Sequence, residues 1–220
     1  MPFDIPVIAI DGPSASGKGT VAQKVAESLG FHCLDSGSLY RLVALAALRS
    51  QLPWSAEAAL GEIAKTLPVR FHGGEIILVN SIVTDDIRQE ACSAGASIVA
   101  AIGAVREGLL ERQKAFRQAP GLVAEGRDMG SVVFPDAVLK VFLTASAEVR
   151  AERRLKQLKQ KGITAKLPVL LQDLRERDAR DSSRSVAPLK PTQDARWLDT
   201  TALDVDQAVN QILLWYQESR

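Results

Sequence analysis

The run Gly12-Pro13-Ser14-Ala15-Ser16-Gly17-Lys18-Gly19-Thr20 has two glycines five residues apart, with a lysine directly after the second. This is the G-x-x-x-x-G-K pattern of a loop that wraps phosphate groups. Glycines at both ends admit backbone turns closed to other residues, so successive amide N–H groups can converge on phosphate oxygens. Lys18 adds a mobile cation for the β and γ phosphates, where charge must be neutralised if a phosphoryl group is to move. The residue after the lysine is Gly19, and the hydroxyl is deferred to Thr20. That departure argues against a direct Ser/Thr ligand to Mg²⁺ at the usual place and makes Thr20 a phosphate contact instead.

Three other clusters could recognise a second phosphate-bearing molecule. Asp35-Ser36-Gly37-Ser38-Leu39-Tyr40-Arg41 and Gly126-Arg127-Asp128-Met129-Gly130 each put an arginine beside oxygen-bearing side chains. Arg177-Asp178-Ala179-Arg180-Asp181-Ser182-Ser183-Arg184 alternates the same groups. Arginine forks suit a monophosphate, and carboxylates and hydroxyls suit a sugar and a base. Plainer readings stand beside these. Arg127 and Asp128 could form a structural ion pair, Arg177 to Arg184 a solvated helix face, and Tyr40 a core position. His32, between Phe31 and Cys33, reads as structural.

The elements that must carry these residues follow from hydrophobic pattern. Ile5–Ile10 is a continuous apolar run, expected of a strand buried on both faces, and it leads straight into the phosphate loop. Val21, Ala22, Val25, Ala26 and Leu29 then recur at helical spacing, with Gly30 where a C-cap glycine belongs. Short strands are predicted at Phe31–Leu34, Leu122–Ala124, Val138–Leu143 and Trp197–Leu198, and helices over Leu39–Leu48 and Val205–Tyr216. The alternation predicts an α/β fold, a doubly wound parallel sheet flanked by helices. Both arginine turns then fall at carboxyl ends of strands, where open α/β sheets bind ligands. One segment breaks the rhythm. Val69–His72, Ile76–Val79 and Ile82–Thr84, separated by Gly73-Gly74-Glu75 and Asn80-Ser81, read as a small antiparallel meander.

Composition narrows the partners. The 220 residues, 46% hydrophobic and 24% charged, suit one globular domain. Lys plus Arg at 27 against Asp plus Glu at 26 gives +1, which argues against a whole-surface grip on nucleic acid or membrane. Arg150–Arg184 differs, with eleven Lys and Arg against five acids, a local +6 that leaves −5 for the rest. Gly162 interrupts two helical stretches inside it, a hinge position for a flap. The uncharged stretch Ala91–Val105 is too short and interrupted to span a membrane, and Met1-Pro2-Phe3-Asp4 does not begin like a secretory signal. Cys33 and Cys92 make no disulfide framework or CxxC site, and His32 and His72 no metal site. The expectation is a reduced, cytoplasmic protein with no protein-held metal, monomeric, and engaging neither nucleic acid nor membrane. Trp54, Trp197 and Trp215 show no stacking arrangement with basic residues and read as packing or surface anchors.

Taken together, D-S-G-x-x-Y-R, E-G-R-D-M-G-x-V-V-F-P-D-A (Glu125 to Ala137) and R-D-x-R-D-x-x-R, in this order around a G-K-G-T loop, resemble the bacterial cytidylate kinases over essentially the whole chain. The resemblance implies a P-loop nucleoside-monophosphate-kinase core at 1–62, 93–154 and 185–220. It also implies an acceptor-binding three-stranded insertion at about 63–92, and a lid with basic helices at about 155–184. It further implies transfer of the ATP γ-phosphoryl, with Mg²⁺, to CMP or dCMP. Lys18, Arg127, Arg177 and Arg184 would be catalytic. Gly12 to Thr20 with Arg153 or Arg154 would hold ATP. Ser36, Asp128, Asp181 and Ser97 would recognise cytosine or ribose, and Arg41, Arg106, Arg127 and Arg184 the acceptor phosphate or the transferring group. An aspartate is a natural acceptor for the cytosine amino group, whereas uracil presents an oxygen there; which aspartate reads which group is left open. The insertion's exit, Asp86-Ile87-Arg88-Gln89-Glu90-Ala91-Cys92, is shorter than the family pattern, which leaves Arg88 without a fixed register. A kinase for UMP or another small acceptor, a nucleotide-binding switch, and a nucleic-acid binder using the +6 stretch are the competing readings.

Overall fold

Val7–Asp11 (β1) is buried along its whole length, as a strand apolar on both faces requires. The computed structural model describes residues 5–72, 75–160 and 162–219. The expectations placed on Met1-Pro2-Phe3-Asp4, on the Gly73-Gly74 turn, on Lys161 and on the His72 side chain lie outside what is described. The chain divides into two compact units. One comprises the residues up to Leu34 together with Phe116 onward, and the other Asp35–Ala115.

The first unit is built on β1, with α1 (Lys18–Leu29), β2 (His32–Asp35), β6 (Leu122–Gly126), β7 (Leu139–Thr144) and β8 (Arg196–Asp199). The strand order is β2-β6-β1-β7-β8, and β1 pairs in parallel with both β6 and β7. The parallel α/β sheet read from the sequence is therefore present. Its core joins Ile8, Ile10, Val123, Val141 and Leu143 of the strands to Val21 and Val25 of α1 and to Ile212 and Tyr216 of α8 (Val205–Glu218). Gly30 caps α1 with φ 67°, and its amide and that of Phe31 bind the last free carbonyls of the helix.

The basic stretch forms two helices, α6 (Ala147–Gln160) and α7 (Leu167–Ser183). Gly162, at φ 73°, closes α6, with its amide on the Lys159 carbonyl. One sequence reading of this unit is corrected. Arg196 lies over the Trp215 ring at 5.5 Å, a cation–π contact made because β8 and α8 bring together residues far apart in sequence.

The second unit holds α2 (Ser36–Arg49), α3 (Glu57–Thr66), α4 (Glu90–Val99) and α5 (Gly103–Lys114). With them is the antiparallel sheet of β3 (Val69–His72), β4 (Glu75–Leu78) and β5 (Ser81–Ile82). The last strand is shorter than the expected Ile82–Thr84. Val83 turns inward, its amide still on the Ile76 carbonyl, and the Thr84 hydroxyl accepts from the Ile76 amide in place of a backbone partner. Val79, in the β4–β5 connection, has φ +59°. The uncharged stretch is split between α4 and α5, which bend by 101° at their junction. Among the described residues no single helix is long and apolar enough to cross a membrane.

Candidate active site

The phosphate loop joins β1 to α1, and its shape depends on contacts from outside it. Gly17 has φ 94°, the left-handed region that its lack of a side chain permits. Gly12 is needed for another reason than the backbone freedom expected of it. A Cβ there would lie 2.0 Å from the Leu143 carbonyl oxygen on β7. Ala15, at φ 57°, takes a turn that the sequence would have given to a glycine.

Two arginines one turn apart on α6 grip alternate carbonyls of the loop. Arg150 donates to Ser14 O at 3.0 Å and Arg153 to Ser16 O at 3.1 Å. A planar trans peptide points its C=O and the following N–H in opposite directions, so these bonds orient the amides of Ala15 and Gly17. Arg153 also donates to the Thr200 carbonyl at 2.6 Å. Lys18, 9% exposed, lies 3.5 Å from Glu125 and 3.4 Å from the Pro13 carbonyl. Ser16 Oγ is buried with no hydrogen-bond partner, while Gly19 and Thr20 are exposed at the start of α1.

The carboxyl end of β6 carries the second cluster. Arg127 donates from Nε to Asp181 at 2.8 Å and from Nη2 to Ser14 Oγ at 2.7 Å. Arg184 stands 3.9 Å from Asp128, and both side chains are almost wholly buried. Burial alone would raise the Asp181 carboxyl, but the guanidiniums of Arg127, Arg177 and Arg184 outweigh it and hold the group below its ordinary value. Arg127, Asp128, Arg177, Asp181 and Arg184, read from separate motifs, therefore belong to one charged cluster beside Ser14. The exposed-face reading of Arg177 to Arg184 fails for Asp181, which is 5% exposed.

The second unit holds the remaining predicted residues. Asp35 caps α2 by accepting from the Ser38 amide at 3.1 Å, and it pairs with Arg41 at 3.3 Å. Ser36 is buried in the first turn of α2. Arg106 donates to the Ala100 carbonyl at 3.3 Å and lies over the buried Tyr40 ring at 5.8 Å. Ser97 lies on α4, its hydroxyl buried without a hydrogen-bond partner. Arg88 sits in a 3₁₀ turn, more than half exposed and 3.9 Å from Asp85.

Comparison with known proteins decides the lineage. The sequence model of the cytidylate kinase family matches residues 8–218. The chain is 59% identical over 213 residues to a cytidylate kinase of Burkholderia pseudomallei, covering 97% of this chain and 93% of that one. It is 60% identical over 212 residues to the cytidylate kinase of Burkholderia vietnamiensis, covering 96% and 93%. The chain belongs to the cytidylate kinase family. Among solved structures, an uncharacterised protein from Eubacterium ventriosum matches with a TM-score of 0.52 at 16% identity, covering 96% of this chain and 98% of that one, a likeness of fold alone.

Four groups in this cytidylate kinase family member escaped the sequence reading of its site. Asp11, at the end of β1, accepts from the Met129 and Gly130 amides at 2.8 Å each and so clamps the turn carrying Arg127 and Asp128. Burial pushes its carboxyl up to about 6, against those two hydrogen bonds. The signal was a lone acid ending an otherwise apolar strand. Glu125 stands within the E-G-R-D-M-G motif, where the sequence alone assigns it no role. Arg150 shows in the sequence only as a charge of the basic stretch and Asp178 only as a motif member without a role, although the three-residue spacing from Arg150 to Arg153 marks one helix face.

Proposed function

We propose that this protein transfers the γ-phosphoryl group of ATP to the 5′-phosphate of CMP and dCMP, giving ADP and the corresponding diphosphate. The observation that carries the reading is Arg127. Its guanidinium bonds at once to Ser14 of the phosphate loop and to Asp181 of the acceptor cluster, so one cation stands beside both sets of residues. Family membership supports the same substrates.

The transfer needs alignment and charge neutralisation more than covalent chemistry. An oxygen of the CMP phosphate, already ionised near neutral pH, forms a bond to the γ phosphorus. The bond from that phosphorus to the β–γ bridging oxygen breaks, and its electron pair leaves with ADP. Lys18 and the loop amides hold the β and γ phosphates. Arg127, Arg177 and Arg184 spread the developing charge, a contribution of order 10³ or more in rate for such arginines. Ser36, Ser97, Asp128 and Asp181 read the nucleoside, and Arg41, Arg106, Arg127 and Arg184 the acceptor phosphate. Arg153 serves ATP by shaping the loop. The lid, within about 155–184, excludes water, which would otherwise compete as acceptor. The β3–β5 sheet belongs to the acceptor side.

Mg²⁺ enters with ATP and neutralises phosphate charge when bound. The residues suit an ion held mainly by phosphate and water oxygens: Ser16 Oγ is a buried hydroxyl with no other partner, and Glu125 is a buried carboxylate beside Lys18. The reading includes a monomer acting in the cytoplasm on these two small substrates. A coupled ADP-release assay with ATP against CMP, dCMP, UMP and AMP tests it. Turnover with CMP and dCMP well above the other two is expected, and no turnover with CMP overturns the proposal.

A further inference from the structure

One residue of the phosphate loop, Ser14, is fastened twice to helix α7. Its hydroxyl accepts from Arg127, whose Nε donates to Asp181. Its carbonyl accepts from Arg150, whose Nη2 lies 2.7 Å from Asp178. Asp178 and Asp181 are three residues apart and so share one face of α7. The third arm of Arg150 donates to the Ala145 carbonyl at 3.0 Å, just beyond β7. Arg150 is 5% exposed and its planar fork has fixed angles, so the three acceptors constrain one another.

The two α6 arginines that set the loop amides have different second partners. Arg153 holds the Ser16 carbonyl and continues to Thr200, at the end of strand β8. Arg150 holds the Ser14 carbonyl and continues to a side chain of α7, the helix that bears Arg177 and is followed directly by Arg184. A phosphate accepting from the Ala15 amide favours the peptide orientation that turns the Ser14 carbonyl toward Arg150. Through Arg150 the same orientation favours a docked α7. By linkage, docking α7 must then favour phosphate in the loop to the same degree.

We propose that Arg150 and Asp178 are positioning residues for phosphoryl transfer, coupling occupancy of the phosphate loop to placement of α7 and its arginines. The proposal rests on the ATP-dependent reading above for the identity of the loop's ligand. A merely structural ion pair would strengthen the protein equally with the loop empty or filled. A coupling pair changes how α7 responds to the nucleotide.

Amide hydrogen exchange of the full chain, with and without a non-hydrolysable ATP analogue and Mg²⁺, separates the two. In the wild type the analogue is expected to slow exchange over residues 174–183 by about tenfold or more, a coupling of ordinary size. In Asp178→Asn and Arg150→Lys the slowing falls to about twofold or less at saturating analogue, and by the same linkage the analogue's affinity falls by about fivefold. Asp178→Asn also lowers kcat by about tenfold, a larger effect than its rise in the KM for ATP, since alignment of the α7 arginines is lost in the step itself. Equal slowing in Asp178→Asn and wild type overturns the proposal, as does a wild type that binds the analogue without slowing α7. Should Arg150→Lys fail to fold, Asp178→Asn, at a partly exposed carboxylate of the same shape, still decides the matter. Wild-type phosphorylation of CMP without protection of α7 would sink the coupling and leave the proposed function standing. Protection without phosphorylation of CMP would do the reverse.

Discussion

The two units hold their arginines differently. In the first, Arg127, Arg150 and Arg153 each bind several protein acceptors in buried or half-buried surroundings, and two of them also fix the geometry of the phosphate loop. In the second, Arg106 is buried over Tyr40, but Arg41 pairs with Asp35, itself partly exposed, and Arg88 stands in solvent beside Asp85. An arginine locked by several acceptors loses little entropy when a phosphate arrives, whereas a singly held one must still be ordered. On the proposed function, the multiply held arginines serve alignment and Arg41 serves capture.

The largest effect should come from filling the closest approach in the first unit. Gly12→Ala drives a methyl group against the Leu143 carbonyl. It should cost about 3 kcal/mol or more of stability and abolish turnover, as denaturant unfolding and the coupled assay would report. Next, Arg127→Ala should lower kcat by about 10³, and Arg41→Ala should act mainly by raising the KM for CMP about tenfold. An equal fall in kcat for both would erase the distinction between alignment and capture. Asp128→Ala and Asp181→Ala should narrow the CMP-over-UMP preference, by about tenfold for whichever reads the amino group. An unchanged ratio in both variants would remove the aspartates from base recognition.

The pH response sharpens the comparison within the first unit, because Asp11 and Asp181 are shifted in opposite directions. Asp11 is expected to titrate near 6 by carboxyl carbon NMR. Between its ordinary 3.8 and about 6 the folded state keeps a proton that the unfolded chain has released, so its contribution to stability declines as pH rises through that window. Asp181 contributes stability above the ordinary carboxylate range and loses it as pH falls through its lowered value. A single ordinary midpoint for both would contradict the buried clamp and the arginine cluster together. The smallest effect belongs to the second unit. Val79→Gly, at an exposed residue with φ +59°, should relieve about 1 kcal/mol of backbone strain and raise the melting temperature by a few degrees, with turnover unchanged.

Much of this was legible in the chain because its signals are local. The β1–loop–α1 unit shows in Ile5 to Leu29 because an apolar run, a glycine-lysine turn and a helical repeat follow one another directly. Gly30 marks the end of α1, and Val69 to Thr84 reads as a meander because three short strand-like runs are separated by Gly73-Gly74-Glu75 and Asn80-Ser81. The third strand of that meander ends earlier than its residue types predict, where Thr84 supplies a side-chain hydroxyl for a backbone bond. Propensity does not register that exchange. Long-range partners were also hidden. Arg150 and Asp178 are 28 residues apart, and nothing in a tally of +6 says which arginine turns inward.

By itself the sequence determined the parallel α/β plan, the phosphate loop and the family, because these rest on residue type and short spacing. Only the tertiary structure decided which charges are buried and paired: Asp11 on the Met129 and Gly130 amides, Arg127 shared between Ser14 and Asp181, Arg150 between Ser14 and Asp178. The physical reason is that the worth of a charge depends on its distance to a partner and on the water removed around it. Both are set when strands and helices distant in sequence pack together.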